Sequence, residues 1–519
     1  MTIFAMAFMA PVPILASAAL NFLNAGRRPR LTLKLTEAAT LLALGIAIAS
    51  AVGLGSIGPG VSQTIGIEGL GLSARLDAVS AVMLVLASFI GWVVVRYSAT
   101  YLDGEARQGA FTGWLCMTLA SVLLLITAGN LVQLVLAWIA TSTFLHRLLL
   151  FYPDRVGARR AARKKFVTAR LADIALIGAA GLLAVAYGTA DIGSILQAAH
   201  SGAGGNLTTW AASLLALAAV LKSAQFPTHG WLTEVMETPT PVSALLHAGV
   251  INAGGFLLIR FADIMLLAPG VLAALVIVGG FTALFGSLVM LTQPAVKTSL
   301  AWSTVAQMGF MIFECGLALF SLALLHIVAH SLYKAHSFLA SGGAVERVAS
   351  LRRPGPVAIP SSGTVGRAFG LALAIYVLAG LGFGLLHKSP QAIAVGAILI
   401  FGVAYMLAQG LADAAPQALT RRTAAYAAAT SIGYFALQRA ATFLTDGVLP
   451  APPPPRTLEW ALMVFAVISF GLVAIVQAMF PLWAYHPAAA GLRVHLSNGF
   501  YANAVFNRIV GNWSTRSSS

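Results

Sequence analysis

Apolar runs of membrane-spanning length recur along the whole chain, separated by short polar connections. They fall near residues 3–24, 34–58, 77–97, 111–128, 131–151, 167–187, 207–226, 241–261, 271–292, 297–316, 320–342, 367–386, 391–411, 423–444 and 458–484, or about 15 predicted spans. A helix needs about 20 apolar residues to cross a hydrocarbon layer about 30 Å thick, so the pattern predicts an all-α polytopic membrane protein. Numerous Gly and Ala residues inside the runs suit close helix packing in lipid. The first run carries no basic residue ahead of it and is expected to be a retained span rather than a cleaved leader. The chain divides into N-terminal helices over 1–110, a central core over 111–345, C-terminal helices over 346–485, and a tail over 486–519 expected to lie along the interface.

Composition agrees. The 519 residues are 59% hydrophobic and 9% charged, against about 25% charged in soluble domains. A formal net charge of +15 raises nucleic-acid binding as an alternative, but its distribution excludes that reading. Basic residues gather at Arg27–Arg30, Arg96–Arg107, Arg155–Arg170, Arg347–Arg353 and Arg421–Arg422, in connections that fall on one side when the spans are counted in order. The positive-inside rule then places the N-terminus outside and the C-terminus inside a cell inner membrane. Cys116 and Cys315 sit in apolar runs and give no disulfide framework and no metal-ligand spacing.

The candidate chemistry lies where titratable residues interrupt apolar sequence. Lys222-Ser-Ala-Gln-Phe-Pro-Thr-His229 puts a lysine and a helix-breaking Pro227 at the end of a span. A charge at bilayer depth costs several kcal/mol, and a broken helix there is tolerated only where it lines a cavity or packs on protein. His247 lies nearly two turns into the next span, after Pro239 and Pro241. His326, His330 and Lys334 are spaced i, i+4, i+8, which places them on one helix face over about 12 Å. Arg170 and Asp173, at i, i+3, are either a local ion pair or the source of a counter-charge for Lys222; Glu237 is the next candidate for that role. Together Lys222, His247, His326, His330, Lys334, Asp173, Glu237 and Arg170 form a candidate ion path.

Lys222-Ser-Ala-Gln-Phe-Pro, Pro239-Thr-Pro-Val-Ser-Ala-Leu-Leu-His247-Ala, Val296 to Gly309 and Lys334 to Gly342 together resemble the proton-conducting subunits of respiratory complex I and of Mrp-type cation antiporters. The resemblance covers roughly residues 70–345. It implies two inverted five-helix repeats, each with a broken helix. Two departures stand out. The pumping subunits carry a glutamate after the position of Trp138, where this chain has Ile139, and the family's outlet-lysine motif is not recognisable beyond residue 345, Lys388 being a weak candidate. The runs Leu246 to Phe256 and Val494 to Tyr501 most resemble the membrane subunits of two-protein inorganic-carbon transporters. That branch implies a large cytoplasmic zinc protein, related to β-carbonic anhydrases, as partner. It also implies that H+ or Na+ flow through this subunit powers CO2/bicarbonate accumulation, with no enzyme chemistry and no cofactor in the membrane chain itself. The alternative is an ion-pumping subunit of a complex I-like redox complex or an Mrp-type antiporter.

Overall fold

The computed structural model describes residues 3–66, 71–343, 361–410, 417–484 and 486–510. The expected basic linker around Arg352–Arg353, the extreme C-terminus and the side chain of Glu237 lie outside the described residues. The long helices, in chain order, are α1 (Pro11–Leu23), α2 (Arg30–Ile57), α3 (Ala78–Tyr101), α4 (Gln108–Ile126), α5 (Leu131–Leu149), α6 (Val156–Tyr187) and α7 (Asn206–Lys222). A broken span follows as α8 (Thr240–Ala248) and α9 (Ala253–Arg260), then α10 (Pro269–Met290), α11 (Val296–Gly316) and α12 (Phe320–Ala340). The C-terminal helices are α13 (Ser362–Gly382), α14 (Pro390–Gly410), α15 (Gln417–Leu444) and α16 (Thr457–Ala478), and the tail holds α17 (Ala490–Ser497) and α18 (Ala502–Val510).

Ten helical stretches among the described residues are long and apolar enough to cross a membrane, against the 15 expected. The shortfall is informative. α11 carries Lys297, Gln307 and Glu314, and α12 carries His326, His330 and Lys334, so both are too polar to qualify although each has 21 residues. α7 stops at Lys222 after 17 residues, four short of the expected end. The basic stretch expected as a loop before residue 167 is instead helical from Val156. Ala, Arg and Lys are strong helix formers, and long basic side chains can reach toward water from a buried stem.

The two ends of the bundle are stitched differently. At one end the basic connections converge: Arg28 pairs with Asp103 at 3.0 Å, and the Tyr152 hydroxyl donates to Glu105 at 2.9 Å. At the other, Asp77 caps α3 by accepting from the Ser80 N–H at 2.9 Å and holds Arg75 at 2.9 Å and Arg260 at 2.5 Å. Burial works to raise the Asp77 pKa, but the guanidinium groups of Arg260 and Arg75 outweigh it and hold the carboxyl well below the usual carboxylate range. Between the ends, α10 and α11 touch backbone to backbone. A Cβ on Gly279 would lie 2.5 Å from the Phe313 nitrogen, and one on Gly309 would lie 2.5 Å from the Ala283 nitrogen, so only glycine permits this approach. The α8–α9 span is enclosed almost completely, with 94% of its most apolar stretch buried.

Because Arg260 is 4% exposed, Asp77→Ala is expected to destabilise the bundle by about 3–5 kcal/mol by stranding a buried charge. Asp77→Ala combined with Arg260→Leu should cost less than Asp77→Ala alone, measured as the unfolding midpoint in detergent; equal or greater loss in the double variant would contradict a stranded-charge mechanism.

Candidate functional site

Lys222 is the last residue of α7, 6% exposed. The helix ends where Ala224 adopts φ +50°, ahead of Pro227. Ending there places the ammonium at a helix C-terminus, where the backbone dipole favours a cation. Its Nζ donates to the Ser142 hydroxyl at 2.6 Å and stands 4.3 Å from the centre of the Trp138 ring. A second lysine, Lys165 of α6, donates to the backbone oxygen of the same Ser142 at 2.6 Å and is 5% exposed. Two buried ammonium groups thus meet on one serine, one turn from Ile139. Sequence reasoning placed Lys165 in the basic loop; its i, i+8 spacing from Asp173 was the signal that it shares that residue's buried face.

Asp173 is 4% exposed and forms its ion pair with Arg170 at 2.7 Å. No Lys222–Asp173 pair is among the described contacts, although Asp173 lies within electrostatic range of Lys222. Of the two arrangements open in the sequence, the local pair is therefore the one formed by direct contact. Glu237 belongs to the turn Val235–Glu237 between the break and α8.

The second group is a row. His326, His330 and Lys334 share a face of α12 as the spacing predicts, with the two imidazole rings 6.1 Å apart. His247 joins from the side. α8 ends at Gly249 (φ −125°, ψ −78°), and the His247 carbonyl lies 3.1 Å from His330 Nε2. The His247 ring stacks on Phe338 at 4.3 Å, and its Nδ1 lies 3.0 Å from the Thr304 hydroxyl. Lys334 donates to the Leu300 carbonyl at 3.1 Å. The row has an acid that sequence reasoning missed: Glu314 of α11 lies 2.9 Å from His326 Nδ1. Its only sequence signal was an isolated carboxylate inside Phe310-Met-Ile-Phe-Glu-Cys315. Lys388 does not join the row; it bonds Gln438 of α15 at 2.7 Å.

The tail is more than an interfacial helix. Lys164 of α6, 2% exposed, pairs with Glu234 of the broken segment at 2.6 Å. Asn503 of α18 completes a triangle, accepting from Lys164 at 2.8 Å and donating to Glu234 at 2.6 Å. Gln293 holds the Ser497 carbonyl at 3.2 Å, and Gly499 packs against Trp302, which with Phe226 and Phe285 also surrounds the ring of His229. The tail thus clasps the segment that breaks the helix below Lys222.

Residues 128–354 match the family model described as NADH:quinone oxidoreductase/Mrp antiporter, TM, and 65–112 match that of the complex I chain 5 N-terminus. The probable inorganic carbon transporter subunit DabB2 of Halothiobacillus neapolitanus is 38% identical over 86% of this chain and 82% of its own length. The probable inorganic carbon transporter subunit DabB of Hydrogenovibrio crunogenus is 46% identical over 60% of this chain and 59% of its own. Among solved structures, the Mrp complex from Dietzia sp. DQ12-45-1b superposes with a TM-score of 0.58 at 25% identity, covering 97% of this chain and 56% of that one. The chain belongs to the complex I/Mrp antiporter family of multi-pass membrane subunits, within its DabB group.

Asn503→Ala removes two charge-assisted hydrogen bonds, each worth about 1.5–3 kcal/mol. It is expected to release the tail, seen as faster protease cleavage between residues 484 and 502, while Asn503→Gln is milder. Unchanged cleavage in Asn503→Ala would show that the aromatic contacts alone seat the tail.

Proposed function

We propose that this chain is the cation-conducting membrane subunit of an inorganic-carbon accumulation system. H+ or Na+ flow through it drives a large cytoplasmic zinc protein of the DabA type, related to β-carbonic anhydrases, which carries the CO2 hydration. The chain itself is a transport subunit without a cofactor; zinc belongs to the partner. The names of its relatives support the carbon-transport reading, and the observation that carries the ion path is the two groups of buried or nearly buried titratable side chains. Lys222 and Lys165 on Ser142 form one station, and Lys334, His330, His247 and His326 form the other. Charges kept this deep mark an ion pathway by default, because insertion disfavours them.

The basic connections lie on the cytoplasmic face of the bacterial inner membrane in this reading, with the N-terminus outside and the C-terminus inside. The partner docks on that face. Its acidic surface would complement the basic connections and the tail clasped to Glu234. Motion of the tail at docking is then felt at the broken segment between Lys222 and His247. In place of the glutamate that the pumping subunits carry after Trp138, this chain presents Ile139 and a lysine pair, which favours a partner-driven role over a redox-driven one.

Lys222→Ala and His330→Ala are each expected to abolish carbon-dependent growth in ambient air while inserting normally, since removing a membrane charge eases insertion. Wild-type growth of both would sink the path. Asp173→Asn leaves Lys222, Lys165 and Arg170 without their nearby acid and should lower uptake by about tenfold, a barrier change of about 1.4 kcal/mol. Uptake at the wild-type rate in that variant would reduce Asp173 to a local partner of Arg170.

A further inference from the structure

A cavity of about 630 Å³ lies between α10–α12 and the C-terminal helices α14–α16. One wall is polar, formed by Gln307, Glu314, His326 and His330; the facing wall is apolar, with Ile398 and Phe470, except for Tyr434. Glu314 is 4% exposed, and its described polar contact is His326 Nδ1 at 2.9 Å. The opposite nitrogen of the same ring, Nε2, is buried without a partner, and so is the Tyr434 hydroxyl across the cavity.

We propose that Glu314 and His326 form a proton-loading dyad that exchanges a proton with water in this cavity and passes it to His330. The proposal rests on the ion-path reading above and adds to it a site and a ligand. An imidazole oriented at Nδ1 by a carboxylate has its Nε2 free to take or give a proton, and a neighbouring carboxylate stabilises the ring when it is charged. His330 is the next ring along, 6.1 Å between centroids, and its own Nε2 lies against the His247 carbonyl, which links the dyad to the α8 side of the path. The cavity has room for a cluster of waters at about 30 Å³ each, beside a wall that holds Gln307, Glu314, His326 and His330. The donor set, two imidazoles and one carboxylate already hydrogen-bonded to a ring, suits a proton rather than an oxygen-coordinated Na+.

Dicyclohexylcarbodiimide is a direct probe, because it enters apolar cavities and reacts with protonated carboxyl groups. The carboxyl oxygen adds to the central carbon, the carboxyl proton moves to one nitrogen, and acyl migration to the other nitrogen leaves a stable N-acylurea with no leaving group. The test uses the full chain with its native partner in proteoliposomes, with peptide mass spectrometry to locate the adduct and a pH-sensitive dye to follow flux. Expected are an adduct on Glu314 and loss of flux by at least about tenfold, as for removal of an acid–base group. Glu314→Gln should show the same loss without the adduct, and Glu314→Asp should keep both partial flux and labelling. Wild-type flux in folded Glu314→Gln overturns the dyad. Should that variant not fold, the wild type decides: no adduct at Glu314, or full flux after complete modification, overturns it. Lys222→Ala run alongside separates the two readings. If Lys222→Ala conducts normally, the ion path itself is wrong; if it is silent while Glu314→Gln conducts, only the dyad is.

Discussion

The structure is organised around the need to hold a lysine ammonium inside a membrane bundle. An unsupported charge at that depth costs several kcal/mol. Three features around Lys222 reduce the cost: the C-terminal end of α7 supplies partial negative charge, Ser142 accepts a hydrogen bond at 2.6 Å, and the face of Trp138 lies 4.3 Å away. The first follows from the break at Ala224–Pro227. Had α7 run on to residue 226, Lys222 would sit inside a helix with its dipole already satisfied. Lys165 makes the site unusual, because a second ammonium on the same serine repels the first.

The same requirement shapes the enclosing layers. α11 and α12 keep Glu314, His330 and Lys334 on buried faces, while α12 turns Leu332 and Tyr333 outward. The α8–α9 span, the continuation of the broken segment, is the most enclosed element and presents His247 to the α12 row. One stretch of chain, residues 223–239, therefore joins the lysine station to the histidine row covalently. Its outer side is held by Lys164, Glu234 and Asn503. A displacement of the tail has only that segment to cross before it reaches both stations.

The helical membrane architecture was legible because it depends on one-dimensional properties: the length of apolar runs and the prolines that end helices. The same holds for the alignment of His326, His330 and Lys334, since helix periodicity alone puts i, i+4 and i+8 on one face. Hydropathy was least informative for α11 and α12, where the functional side chains themselves dilute the apolar signal.

Partnerships were a different matter. Lys165 reads as one more member of a basic run until α6 turns it inward to Ser142, 23 residues earlier in the chain. Glu314 finds His326 from a neighbouring helix, and Asn503 reaches Lys164 across 339 residues of sequence. Asp173 had two arrangements open to it; helix periodicity brings Arg170 into contact, and packing leaves Lys222 only in electrostatic range. Sequence fixes which residues share a helix face; which faces meet depends on how helices pack, at contacts such as that between Gly279 and Phe313, and ion pairs form only after those faces have met.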